Sequence, residues 1–420
     1  MVMARRLLLL VLLALGTAGL PAAAGLSADP SGPTVTVSLP GALTDAYLVL
    51  SAQAGGGTIA LAADFPAAGE IALSGGGAGP VHVTSADPAN RVPVSRIVLD
   101  GIDNLRISNV HVDSTGASRP EAQRDMDIVN SSRIEIIGVV FTSNGSLVFD
   151  PTDAGAVLGE RLSMVRHSRD ITVTGCYIAG HEQGLTFQES TGITVTGNEI
   201  TAIQGDGIRL AGVIDVLIAN NYMHDFSATP NEFTHSDFIQ MWSRNAEIVS
   251  RDVTITGNVL DTGNGVAAQG IWIGNPEYSR GNTGYVYRNL TIADNLIYTG
   301  AANGIGVGAA DGVVIADNTL LWNQAAVTIK ADGNTSFFPR IRLDDAVVNA
   351  RVRGNITTRI LHGPGASLDG NVLLSWTPGD PAYAGAHFAN VASGGDIGPN
   401  GWRLRPSSPW VGIGARASQP

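Results

Sequence analysis

The sequence predicts an all-β solenoid, and three observations carry that prediction. The stretch 184–221 holds one phrase twice. Gly184-Leu-Thr-Phe and Ile193-Thr-Val-Thr-Gly-Asn198 return as Gly207-Ile-Arg-Leu and Val216-Leu-Ile-Ala-Asn-Asn221. The closing Asn recurs at 198, 221, 258, 295, 318, 355 and 371, at separations of 23, 37, 37, 23, 37 and 16 residues, as expected of a coil lengthened in places by a loop. The chain of 420 residues carries 52 glycines and 20 prolines with only 15% charged residues, which suits tight turns between short strands. Its 44% hydrophobic content can fill a core and excludes a disordered chain. Solenoids grow by adding coils, so length alone does not count domains; one elongated body is expected, and a monomer.

Residues 1–24 read as a secretory leader. Arg5-Arg6 precedes an apolar run from Leu7 to Leu15, and Ala22-Ala-Ala24 supplies a small-residue cleavage site. The run is short for a membrane span, so the expected address is periplasmic or extracellular, without membrane attachment. Loss of Arg5 and Arg6 takes the formal charge from −12 to −14, an acidic balance that argues against a nucleic-acid partner.

Residues 25–80 form an N-terminal cap and the first strands: a strand over 34–39, a helix over 43–53 and a strand over 58–62. Leu43, Tyr47, Leu48 and Leu50 supply the apolar face of that helix. Such a lid would cover the unpaired strand edges of an open solenoid end. Residues 81–376 carry the coils, in which strand residues alternate inward and outward. The recurring Asn is expected to stack and hydrogen-bond from coil to coil. Cys176, the only cysteine, stands where later coils carry that Asn and reads as a buried ladder residue. Residues 377–420, with Pro406-Ser-Ser-Pro-Trp, read as a C-terminal segment covering the open end.

The strand, helix, Gly-Gly-Gly turn and strand of residues 33–63 resemble the entry segment of secreted right-handed parallel β-helix proteins, among them the chondroitinase B and alginate lyase group. The coil pattern resembles the pectin-lyase-like superfamily. That resemblance implies a right-handed parallel β-helix with an N-terminal helical cap.

Aligning the coils turns sequence into surface, because residues in one column lie ~4.8 Å apart on successive coils. One outward column reads Thr186, Arg209, Gln240, Trp272, Gly306 and Thr328. A second reads Gln183, Asp206, Asp237, Gln269 and Asn303, and a third His181, Gln204, His235, Ala267 and Ala301. A fourth reads Ala179, Thr201, His224, Asp261 and Tyr298. A guanidinium, an amide and an indole in line offer a sugar ring donors and a stacking face. Stacked Asp206 and Asp237 would raise one pKa or recruit a cation.

Relatives of this architecture act on polyuronates by β-elimination or C5 epimerisation. Both reactions remove a proton alpha to a carboxylate. The resemblance implies an acidic polysaccharide substrate, with Arg209 neutralising its carboxylate or with Asp206 and Asp237 holding a calcium ion that does so. His235 or His224 would serve as base and Tyr298 as the opposing acid. Gln240, Trp272, Trp242, His181 and Asp261 would bind substrate in one groove. The chain carries His235-Ser-Asp237 in place of the Asp-Pro-His of mannuronan C5-epimerases. Lyase is the first reading and epimerase the second. A polygalacturonase-like hydrolase using Asp206 and Asp237 and a non-catalytic glycan-binding β-helix remain open beside them.

Overall fold

The computed structural model of the chain describes residues 29–116, 123–145, 158–227, 236–326 and 338–420, so the leader expected over 1–24 lies outside the described residues. Among the described residues, short parallel strands stack in register into a 22-stranded and an 11-stranded sheet. The coil is three-sided. One first face runs through 185–188, 208–211, Asp237–Trp242, Gln269–Ile273 and Asn303–Val307. The second runs through 193–196, 216–219, Arg251–Thr256 and Tyr287–Ala293. The third is the 11-stranded sheet, including Tyr177–Ala179, Glu199–Thr201, Tyr222–His224, Val259–Asp261 and Leu296–Thr299. The long strands Leu185–Thr196 and Ile208–Ala219 cross from the first face to the second, which merges those two faces into one sheet.

The repeated phrase has a physical reason at each end. Its opening glycine lies where one coil presses on the next: a Cβ on Gly184 would fall 2.0 Å from the Gly207 carbonyl oxygen. Its closing Asn always follows a residue of left-handed backbone, at Gly197, Asn220, Gly257, Asp294, Asp317, Gly354 and Gly370. Glycine, asparagine and aspartate tolerate that conformation best. The turn then aims the Asn into the core, where Nδ2 of each ladder Asn from Asn198 to Asn355 donates to Oδ1 of the next at 2.9–3.0 Å. Cys176 tops that ladder. Its N–H donates to Asn198 Oδ1 at 2.9 Å, and burial pushes its thiol up to about 12. Inward Leu185, Ile208, Ile239, Ile271 and Ile305 stack at no more than 1% exposure to make the core under the first face.

At the N-terminal end the helix Pro40–Ser51 buries Leu43, Tyr47 and Leu50, whereas Leu48 faces solvent at 45% exposure, a correction to its expected inward face. The flanking strands Thr34–Val37 and Gly57–Leu61 already belong to the stack, pairing in turn onto Val81–Ser85. The C-terminal segment makes one bridge onto the last coil, Ser375 with Tyr383, and then turns back along the third face. There Phe388, Trp402, Leu404 and Trp410 form a second core with Leu296, Tyr298, Leu321 and Ile356. These contacts seal the flank of the last coils. Among the described residues no helix is long and apolar enough to cross a membrane.

Candidate functional site

Strand register brings the outward column together on the first face: Thr186 opposes Arg209, Arg209 opposes Gln240, Gln240 opposes Trp272, and Trp272 opposes Gly306. The column just before it supplies the supports. Arg209 Nη1 donates to Gln183 Oε1 at 2.6 Å, and its Nε lies 3.2 Å from Asp206 Oδ2. Its guanidinium carbon sits 4.6 Å from the centroid of the Trp242 ring, within cation–π range. Burial lowers the Arg209 pKa against the pull of Asp206, so this guanidinium is a partly desolvated charge held by an indole, an amide and a carboxylate. Trp272 lies across Gly306, where a Cβ would come within 2.3 Å of Cε3; only glycine leaves room for the flat indole.

Asp206 and Asp237 do stack on neighbouring coils, and three of their four carboxyl oxygens are engaged by protein groups, Asp206 Oδ2 by Arg209. The Asp237 N–H donates to Asp206 Oδ1 at 3.0 Å, and Gln240 Nε2 donates to Asp237 Oδ2 at 2.6 Å. A calcium ion takes six to eight oxygens. Among the described residues no group of three or more His, Cys, Asp or Glu is placed to hold a metal ion. The pair fits the role of anchoring Arg209 and Gln240 better than that of holding calcium.

The single groove expected from the sequence divides in two. His224 and Asp261 are in register on the third face, away from Arg209 and Trp272. His224 Nδ1 meets Asp225 Oδ2 at 2.8 Å, Nε2 meets Glu199 Oε1 at 3.4 Å, and the ring stacks on Tyr222 at 4.2 Å between centroids. Burial alone would lower its pKa. The two carboxylates outweigh burial and raise it to about 9, so His224 is cationic at neutral pH and a poor base. Burial, aided by the charge of Asp225, raises Asp261 to about 7.

Two further residues leave the site altogether. His181 is fully buried, with Nε2 2.9 Å from Asp125 Oδ2, a carboxylate that also accepts from Ser114 at 2.8 Å. It cannot touch a polymer. Tyr298 is equally buried, beneath the C-terminal segment with its ring centroid 6.5 Å from that of Trp402. Burial raises its hydroxyl pKa, and it lies on the third face, so it is no acid for the first. His235 and Thr328 lie outside the described residues.

The sequence alignment placed Thr328 after Gly306, but the residue opposite Gly306 is Arg342, with Arg340 continuing the neighbouring column beside Asn303. Arg359 adds a third charge. Burial together with Arg342 and Arg359 lowers the Arg340 pKa. These cations escaped the alignment because the closing Asn of their coil stands 37 residues after the last, which hid the register. The alternating Arg340-Ile-Arg-Leu343 was the available signal.

The architecture defines a right-handed parallel β-helix protein. Residues 161–338 match the family described as right handed beta helix region. Among solved structures the fold is similar to the Dettilon tailspike protein, with TM-score 0.49, 14% identity and coverage of 76% of this chain and 62% of that one. It is also similar to the alginate lyase from Paenibacillus sp. str. FPU-7, with TM-score 0.37, 17% identity and coverage of 81% and 95%. A third is the Azotobacter vinelandii mannuronan C-5 epimerase AlgE4 A-module, with TM-score 0.36, 14% identity and coverage of 78% and 89%. No protein of curated function matches the sequence. The likenesses are of fold.

Proposed function

We propose that this is an exported carbohydrate-active protein that binds an acidic polysaccharide along the first face and cleaves it by β-elimination. One observation carries the reading: on a chain of formal charge −12, the first face gathers Arg209, Arg340 and Arg342 with the indoles of Trp242 and Trp272. A uronate polymer laid along the axis would meet a guanidinium at each end of the row and stacking surfaces between. Arg209, partly desolvated, is the group to hold the carboxylate whose neighbouring proton is removed, since charge developing there is stabilised most by a fixed donor in a dry setting. His235, two residues before Asp237 in sequence, is the base of this reading.

The test incubates purified protein with alginate, pectate and glycosaminoglycans, with and without chelator, and follows ultraviolet absorbance, reducing ends and C5 configuration. Absorbance rising with reducing ends supports elimination. Reducing ends alone support hydrolysis, and inverted C5 without cleavage supports epimerisation. No change in any of them removes the catalytic reading and leaves glycan binding.

A further inference from the structure

The third face carries a cleft that the first-face reading leaves unused. Its floor is two outward columns, with Tyr177, Glu199 and Tyr222 on one and Thr142, Ala179, Thr201 and His224 on the other. Over this floor lies a concavity of about 620 Å³, lined by Thr142, Tyr177, Glu199, Thr201, His224 and Asp225 among others, with Asn264 at one end. The C-terminal segment closes that end, where the Asp396 N–H donates to Asn264 Oδ1 at 3.2 Å. Beyond it the same face is sealed by the second core.

Three features describe what the cleft would take. Tyr177 and Tyr222 are 38% and 39% exposed on a face where later coils carry buried apolar residues. They stand two coils apart, ~10 Å along the axis, with Glu199 between them. Tyr177 lines the concavity, and its exposed ring is a stacking platform for a sugar ring; Tyr222 lies outside that lining, with one ring face stacked on His224. The polar groups between them are acceptors and small hydroxyls: Glu199 and Asp225 hold His224 rigidly, and Thr142 and Thr201 flank it. Among the described residues no Lys or Arg lines the cleft, and Glu199 and Asp225 outnumber the one imidazolium. A ligand bearing carboxylates would be repelled where one bearing hydroxyls or ammonium groups would be held.

We propose that the third face is a second saccharide-binding cleft, selective for oligosaccharides without carboxylates, separate from the first face and opposite to it in charge preference. The proposal is independent of what the first face does. Isothermal titration of the full chain with a β-1,4-linked N-acetylglucosamine tetrasaccharide, its de-N-acetylated counterpart and a tetra-uronate tests it. Binding of the neutral or the amino-sugar oligomer is expected, with the uronate at least tenfold weaker at this cleft. Tyr177→Ala and Glu199→Gln should each weaken that binding fivefold or more, and Arg209→Ala should leave it unchanged. A larger gain for the amino sugar assigns the carboxylates to an ammonium, and equal affinities assign them to hydroxyls. Either result supports the cleft. It is overturned if neither oligomer binds, if both variants bind as the parent does, or if the uronate binds as tightly and is lost with Tyr177→Ala.

Discussion

Replacing Asn258 by alanine removes one rung from the middle of the internal ladder, and the structure sets the size of the loss. Asn258 is fully buried. Its Oδ1 accepts the Asn221 backbone N–H at 3.0 Å and Asn221 Nδ2 at 2.9 Å. Its Nδ2 donates to Ile218 O at 3.0 Å, Thr256 O at 3.2 Å and Asn295 Oδ1 at 2.9 Å. Alanine leaves the Asn221 N–H buried without its acceptor, at ~1–3 kcal/mol. It also opens a void in a packed interior, so the sum is about 3–5 kcal/mol. That is a large share of the ~5–15 kcal/mol by which folded domains are stable. Asn371, the last rung, is only partly buried, so its alanine variant opens no comparable void and should lose ~1–3 kcal/mol, the cost of leaving the Asn355 N–H without its acceptor. Urea unfolding followed by tryptophan fluorescence measures both. Asn258→Asp separates hydrogen bonding from packing, because it keeps the volume while setting an acceptor against Asn295 Oδ1. Losses of similar size for Asn258→Ala and Asn371→Ala, or a loss under about 1 kcal/mol for the former, would refute the ladder as the element that fixes coil registry.

Further outcomes follow from the first and third faces. Arg209→Ala deletes a charge-assisted contact of ~1.5–3 kcal/mol and should lower kcat/KM on the cleaved polymer about 10- to 150-fold, with Arg209→Lys recovering only part; unchanged kinetics would exclude Arg209 from the site. Gly306→Ala pushes the Trp272 indole off its seat and should weaken polymer binding about 2- to 12-fold, the size of an aromatic contact, as read by titration calorimetry. The pH dependence of stability has a defined sign. His224 is raised from 6.5 to about 9 in the folded chain, so its contribution is fully present below pH 6.5 and is lost as pH rises through 9. Asp261, raised from 3.8 to about 7, likewise holds its proton more tightly when folded and loses stability as pH rises through 7. The melting temperature should therefore fall from pH 6 to pH 9, and Asp261→Asn should raise it at pH 8 more than at pH 5; an equal effect at both would contradict the assignment.

The fold was readable because the chain repeats its backbone constraints. Gly, Asn or Asp before each ladder Asn, and Gly at the coil contact, are residue choices forced by left-handed turns and by 2.0 Å approaches. Once those marks set the register, Arg209, Gln240 and Trp272 had to share a face, and they do. Column membership does not say what lies on top of a column. Tyr298 and His224 occupy one column, yet the segment that buries Tyr298 comes from residues a hundred positions later. His181 failed for a related reason: a corner residue can turn inward, and Asp125 from an earlier coil was there to receive it.

Carboxylate recognition by the first face is read out by comparing one polyuronate with the same polymer after its carboxyl groups have been reduced to alcohols. Titrated against the intact protein at low and moderate salt, the native polymer should bind at least tenfold more tightly, with an advantage that shrinks as salt rises and disappears in an Arg209→Ala, Arg342→Ala variant. Equal affinity for the two polymers, or an advantage untouched by salt and by loss of both guanidiniums, would contradict it.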